Sequence, residues 1–404
     1  PLFAVGVAIG QRRFPLAQSP HHLGKEGVQP HDLFEGTLTR ADYDRPSADL
    51  LGFVLAALVS QPAGVMAAPL PPGAPSVLVM TGDQDFMPDA ALLAQAQALA
   101  PKGAMTAMLT SGSIGASPDV RTPESPEHFI DRSTALELSD QGHDLGVHPN
   151  LWKLKEGPEG YRAAIQAHVD GFRETFHTAP RMVRNHHLVW SGYVAMARHH
   201  ASAKLAMNFD YVSQAFLPNG ELGYMASGAV PVRFGDPEGR VVPILQQPTQ
   251  LDDHVLLPKR FGYRPTTIDQ LMARSQHLLT LAIDHHTPLV VNHHPVWWID
   301  SDGAWQRALG SMAQAAKVPV WSGGQWLRFV EGQRSIRVWC TAPGSCTVWT
   351  TAPHASLLVS ADGGSVRVKG QDAAVLSHQT LGGQRWSLLE LADPGIHTIE
   401  VTPP

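Results

Sequence analysis

Val77-Leu-Val-Met-Thr-Gly-Asp-Gln-Asp-Phe86 is the stretch that decides the fold. Four apolar residues leading into two carboxylates read as a buried strand that delivers polar groups at its C-terminal end. The arrangement recurs. Leu145-Gly-Val147 runs into His148-Pro-Asn150, Met182-Val183 into Arg184-Asn-His-His187, and Leu289-Val-Val291 into Asn292-His-His-Pro295. Two more strands are expected at 105–109 and 319–321, with helical stretches at 89–99, 161–176 and 267–284. Alternating buried strands and helices predict an α/β fold with a parallel sheet, and a span of about 260 residues, 76–333, suits a (β/α) barrel. The C-terminal strand ends of such a barrel converge on one mouth, where active sites are built.

The flanks of this span differ from it. Residues 1–75 are rich in Pro, Gly and His, with one helix expected at 47–60 before the linker Pro69-Leu-Pro-Pro-Gly-Ala-Pro75. After Arg334 the period falls to two, as in Ser335-Ile-Arg-Val-Trp-Cys-Thr341 and Ser365-Val-Arg-Val-Lys369, which predicts a small β-sandwich over 334–404. Both cysteines, Cys340 and Cys346, flank Ala342-Pro-Gly344 in this module. A hairpin disulfide and a pair of buried thiols are both compatible with that spacing.

Composition narrows the function classes. Of 404 residues 43% are hydrophobic and 16% charged, enough for a sizeable core. A net charge of −6 without a block of Lys or Arg argues against nucleic-acid binding, which needs concentrated positive charge. The longest apolar stretch, Leu50 to Val59, is about half the roughly 20 residues of a membrane span, so no transmembrane segment is expected. The chain starts at Pro1 without a signal peptide, which suggests a processed or truncated form.

Carboxylate and imidazole together are the ligand set of zinc and similar divalent ions. Asp83-x-Asp85 is expected to place two carboxylates on one side of an extended segment, one to bind metal and one to take a proton from water. Of the five His-His doublets, His21-His22 falls in a Pro-rich loop, and His199-His200 and His285-His286 lie at helix ends, so these read as structural. His148, His186 or His187, and His294 follow strands and read as functional. Arg184 is placed to orient the Asp base or to hold a substrate oxygen. Asn150, Trp152, Trp190 and Trp297 lie near these positions as candidate substrate contacts, with barrel packing the alternative for the indoles.

At these motifs the chain resembles the polysaccharide deacetylases of carbohydrate esterase family four, over roughly residues 76–333. The resemblance implies a distorted (β/α) barrel that uses a divalent metal, zinc by preference, to hydrolyse acetyl groups from sugars. Thr81-Gly-Asp-Gln-Asp85 resembles the first motif, which implies Asp83 as base and Asp85 as ligand. Gly142-His-Asp-Leu-Gly-Val-His148 resembles the second, which implies His148 as ligand. Asn292-His-His-Pro295 resembles the late strand carrying the acid, with His294 the better match. The second motif departs from the family at Trp152, where another His is usual. The Arg-x-His strand resembles a divergent branch in which His186 is the third ligand. Asp83, His294 and Arg184 are thus the catalytic candidates, and Asp85, His148 and His186 the metal ligands. Residues 1–75 resemble the end of a glutamine-amidotransferase-like domain through the Asp42–Arg45 and Ser47–Leu51 pattern. The resemblance implies a secreted or periplasmic carbohydrate deacetylase. A non-catalytic carbohydrate-binding protein on a degenerate barrel is one alternative, and an amidase or esterase acting on a non-sugar acyl group is another.

Overall fold

The computed structural model describes residues 64–402, apart from 86, 88, 100–102, 111–129, 152–153, 155–156, 191–193, 211–213, 217–221, 225–228, 237, 254–266, 296–301, 343, 361–363, 370, 373 and 382–383. The helix expected at 47–60 and nearly all of the N-terminal segment lie outside the described residues. By internal contacts the chain divides into two units, one over Val77–Gly324 and the other combining 64–76 with 325–402.

The first unit is built on one parallel sheet. Its strands are β1 (Val77–Asp83), β2 (Thr106–Leu109), β3 (Asp144–Val147), β4 (Met182–Val183), β5 (Met207–Asn208), β6 (Leu245–Gln246), β7 (Leu251–Asp252), β8 (Pro288–His293) and β9 (Val320–Ser322). Each strand from β1 to β5 pairs with the next, β7 pairs with β8, and β8 returns to pair with β1. The sheet therefore curls back onto its first strand. Residues 247–250 cross the gap between β6 and β7, with Gln247 N–H donating to Asn208 O and Gln250 N–H to Val290 O. The result is a distorted (β/α) barrel. β9 pairs with the first half of β1, at 78–80, whereas β2 takes 81–83. The half of β1 that carries Asp83 thus sits between β2 and β8.

Continuous apolar runs form β1 and β8 because parallel strands are covered on both faces, and every residue of both is buried. Helix α1 (Asp89–Leu99) follows β1, α2 (Arg132–Asp140) precedes β3, and α3 (Tyr161–Phe176) follows it. Along α3 the spacing of Tyr161, Ala164, Ile165, His168, Val169 and Phe172 makes one buried stripe. α4 (Ala195–Ser202), α5 (Ile268–Asp284) and α6 (Ala304–Ala315) follow among the described residues, and a further helix, α7 (Gly323–Ser335), comes directly after β9. Thr267, expected inside α5, is its cap: its hydroxyl accepts from Gln270 N–H, while the Gln270 side chain accepts from Thr267 N–H.

The second unit is an antiparallel two-sheet sandwich. One sheet has the order Val65–Ala67, Ala355–Ser360, Gln384–Leu391, Val375–Leu381, and the other Arg337–Ala342, Ser345–Thr350, Gly395–Thr402, Ser365–Val368, Gln371–Asp372. Val348, Val366 and Ile399 of one sheet pack with Val65, Leu357, Val359 and Leu389 of the other. The sandwich thus begins before the barrel, at Val65–Ala67, and not only after residue 334. Three residues cover one and a half periods of a strand, too few for alternation to show in the sequence. Cys340 and Cys346 face each other across the first hairpin and form a disulfide. Among the described residues no helix is long and apolar enough to cross a membrane.

Candidate metal centre

Register brings the polar strand ends together. Thr81 pairs with Asn292 and Gly82 with His293, so Asp83 stands across from His294. Val147 pairs with Val183, so His148 stands beside Arg184. Gly82 leaves no alternative between them. A Cβ there would lie 2.9 Å from Met105 Cε and 3.1 Å from His293 O.

β1 ends at Asp83, and Asp85 adopts φ 48 in a turn. The two carboxylates therefore do not share the side of an extended segment, as their spacing suggests. The left-handed turn, which Asp tolerates better than most residues, brings Asp85 to the mouth by another route. There Asp85 Oδ1 lies 3.0 Å from His148 Nε2 and 3.0 Å from His186 Nδ1, and the two nitrogens are 3.1 Å apart. Three donors bound to tetrahedral zinc at about 2.0–2.1 Å would be about 3.3 Å apart, so the triangle has the size of a metal face. His148 Nδ1–H donates to Arg184 O at 2.7 Å, which leaves Nε2 as the lone-pair nitrogen of the neutral ring and aims it into the triangle. Lone pairs this close need a proton or a cation between them, so the donor set fits a divalent ion. His187 sets its ring edge-on to that of His186, with 4.1 Å between centroids, but supplies no corner of the triangle.

Beside this triangle is a buried carboxylate. Asp83 Oδ1 accepts from Arg184 Nη1 at 2.9 Å, and Oδ2 accepts from Asn292 Nδ2 at 2.9 Å. Burial opposes ionisation of Asp83, but Arg184, then His148 and His294, outweighs it and holds the carboxyl below its ordinary range. Asp85 is held further down, against its burial, with His186 the largest of the favourable influences.

Arg184 spends all five N–H groups inside the protein. Nη1 also reaches Asn292 Oδ1 at 2.5 Å, Nη2 donates to Thr81 Oγ1 at 2.9 Å and Thr249 Oγ1 at 3.1 Å, and Nε donates to Phe209 O at 3.2 Å. At 1% exposure it orients Asp83 and has no donor left for substrate.

On the far side His294 Nε2 lies 3.4 Å from Asp85 Oδ2 and 3.7 Å from Asp83 Oδ2. Its Nδ1 is bonded to Asp253 Oδ1 at 2.5 Å, and its backbone N–H donates to Asp253 Oδ2 at 2.7 Å. Burial disfavours the imidazolium, yet Asp253 and Asp85 raise the pKa of His294 well above the ordinary histidine value.

Of the candidate substrate contacts, Asn150 is fully buried, and Trp190 is fully buried with its ring edge-on to Phe234 at 6.0 Å. Trp190 is therefore a packing residue and offers no open face to a sugar. Trp152 and Trp297 lie outside the described residues. Sequence reasoning missed Asp253 and its neighbour Asp252, which accepts from Asn292 Nδ2 at 3.1 Å. The signal was present, since Leu251-Asp-Asp253 repeats the pattern of a strand ending in acids, but β7 is two residues long and shows no period.

No protein-family model matches the chain, and no curated protein matches it. Solved structures similar to it include a protein of Mycobacterium smegmatis assigned as a polysaccharide deacetylase, at 14% identity and TM-score 0.45, covering 69% of this chain and 98% of that one. The catalytic domain of a peptidoglycan N-acetylglucosamine deacetylase from Eubacterium rectale follows at 11% identity and TM-score 0.37, covering 64% and 92%. A family-four carbohydrate esterase of Streptococcus mutans is similar at 13% identity and TM-score 0.33, covering 76% and 99%. The amidotransferase likeness of residues 1–75 finds no support in these matches.

Proposed function

We propose that the chain is a metal-dependent hydrolase that removes acetyl groups from a polysaccharide or oligosaccharide. The observation that carries this reading is the triangle of Asp85 Oδ1, His148 Nε2 and His186 Nδ1 with an ionised, buried Asp83 beside it. A divalent ion, zinc by its donor set, would be held by these three side chains and would supply Lewis-acid polarisation of the acyl carbonyl and of water. Asp83 accepts the proton of the attacking water, and Arg184 and Asn292 keep its carboxylate oriented and charged. His294 retains its proton through Asp253 and donates it from Nε2 to the departing amine or alkoxide. Acid and base act from two strands, β8 and β1, whose ends the register sets side by side.

The reading as a non-catalytic carbohydrate-binding protein turned on Trp152 standing where the family has a ligand. His186 supplies the third corner, so the triangle is complete without residue 152. Carbohydrate is the expected partner, and a secreted or periplasmic location fits the Cys340–Cys346 disulfide, since such bonds persist in oxidising compartments.

Release of acetate from acetylated glycans, measured with and without chelator, tests the proposal. Release that stops with chelator and returns with zinc is expected. Release unaffected by chelator, or seen only with non-sugar acyl amides and esters, would contradict it.

A further inference from the structure

Asn185 lies between two residues of the site, Arg184 and His186, and its own side chain enters a separate buried network. Asn185, His200, Asn208 and Asp210 are each 0% exposed. Asp210 Oδ1 accepts from the Asn185 backbone N–H at 2.5 Å, and Asp210 Oδ2 accepts from Asn185 Nδ2 at 2.8 Å and Asn208 Nδ2 at 3.0 Å. The Asn185 side-chain oxygen is 3.1 Å from His200 Nε2, and Asn208 Nδ2 is 2.6 Å from His200 Nδ1. These distances fit one arrangement: a neutral His200 that donates from Nε2 and accepts at Nδ1. Register explains the clamp. Val183 pairs with Asn208, so Asn185 and Asp210 meet two residues beyond the ends of β4 and β5, where a carboxylate replaces the ladder.

The same Asn185 also closes the turn that follows it. Its carbonyl accepts from Leu188 N–H at 2.8 Å, and its Nδ2 donates to Val189 O at 3.0 Å. Inside that turn His187 and Leu188 take φ values of 56° and 53°, the left-handed region that is uncommon for residues other than Gly and that His enters more readily than Leu. Such a turn persists only where its surroundings over-determine it. A pair of hydrogen bonds from Asn185 to one carboxylate lies one residue away from the third corner of the metal triangle, beside the His186 N–H that donates to Pro149 O at 2.9 Å.

We propose that Asp210 is a positioning residue for the metal centre, which clamps Asn185 by its backbone and side-chain N–H groups and thereby sets the turn that presents His186 Nδ1. The inference rests on the reading of Asp85, His148 and His186 as metal ligands. Outer partners of this kind typically contribute about 10- to 100-fold to metal affinity.

The full-length chain with Asp210→Ala and with Asp210→Asn tests it, the zinc affinity being read by competition with a chromogenic chelator and the coordination by the absorption spectrum of the cobalt(II) form. Asp210→Asn keeps an acceptor for the Asn185 N–H but turns an NH2 toward the amide donors of Asn185 and Asn208, so it serves if the alanine variant fails to fold. Ser275→Ala is the control: it removes the buried acceptor of Trp305 Nε1–H, at 2.9 Å, without touching the network. Zinc affinity about 10- to 100-fold weaker in the Asp210 variants, with an altered cobalt spectrum, is expected, whereas Ser275→Ala keeps both while losing thermal stability. Asp210 variants with parental affinity and spectrum would overturn the inference, and so would equal losses in Ser275→Ala. A parent chain that binds neither ion would overturn the metal reading itself and this inference with it.

Discussion

Asp83→Asn is expected to keep zinc and to lose about 100- to 10,000-fold in deacetylation rate, the usual contribution of a positioned acid or base. The amide cannot take a proton from water. Its effect on the rate is separable from metal binding, because Asp83 supplies no corner of the Asp85–His148–His186 triangle. The variant also sets an NH2 against either Arg184 Nη1 or Asn292 Nδ2, both of which are donors, so a lower melting temperature accompanies the lost rate. Steady-state kinetics together with zinc content per chain check the result. A variant that turns over as fast as the parent would show Asp83 to be a structural acceptor only.

Arg184→Met is expected to destabilise the barrel by about 3–5 kcal/mol, the usual cost of removing one partner of a buried ion pair. Met fills a similar volume but leaves the Asp83 carboxylate without its cation and Asn292 Oδ1 without its Arg184 donor, while Phe209 O keeps only the Thr249 hydroxyl at 3.3 Å. Urea unfolding in the presence of chelator measures this loss apart from any metal contribution. Any folded fraction carries a second signature. Arg184 is the foremost influence holding the Asp83 carboxyl down, so its loss moves that pKa up, and the acid limb of the activity profile shifts to higher pH. A change in stability below about 1 kcal/mol, with an unmoved acid limb, would mean that Arg184 is not what holds Asp83 in place.

Most of the barrel was legible because its longer strands are buried on both faces and spell continuous apolar runs. Val77-Leu-Val-Met80 and Leu289-Val-Val291 are such runs, and each ends at a polar residue that the fold brings to the mouth. β5, β6 and β7 were not, since two residues carry no period, and β4, equally short, was marked only by the Arg-Asn-His-His run after it; with β7 went Asp252 and Asp253. The Asp83-x-Asp85 pair was found for an incomplete reason: an extended segment would align the carboxylates, but the chain turns at Asp85 and they approach the centre separately. Of the two roles open to the indoles, Trp190 takes packing. Trp190 is close in sequence to His186 and His187, yet its ring lies in the core against Phe234, because closeness along the chain says nothing of which side of a strand a side chain takes. His200 looked like a helix-end histidine, and it is one, but its ring faces inward to Asn185 and Asn208. No local pattern announces a buried network assembled from residues 185, 200, 208 and 210, since only the pairing of β4 with β5 brings them together.

Crystals soaked in zinc, with an anomalous difference map collected at the zinc edge, test the central claim most directly. Among the described residues the barrel holds two groups of side chains that could take a cation, Asp85–His148–His186 and Asp252–Asp253–His294. The expected map shows one strong peak within about 2.0–2.3 Å of Asp85 Oδ1, His148 Nε2 and His186 Nδ1, and none beside Asp253, whose carboxylate is committed to His294. An empty triangle, or a peak seated instead on Asp252, Asp253 and His294, would contradict the assignment of ligands, base and acid together.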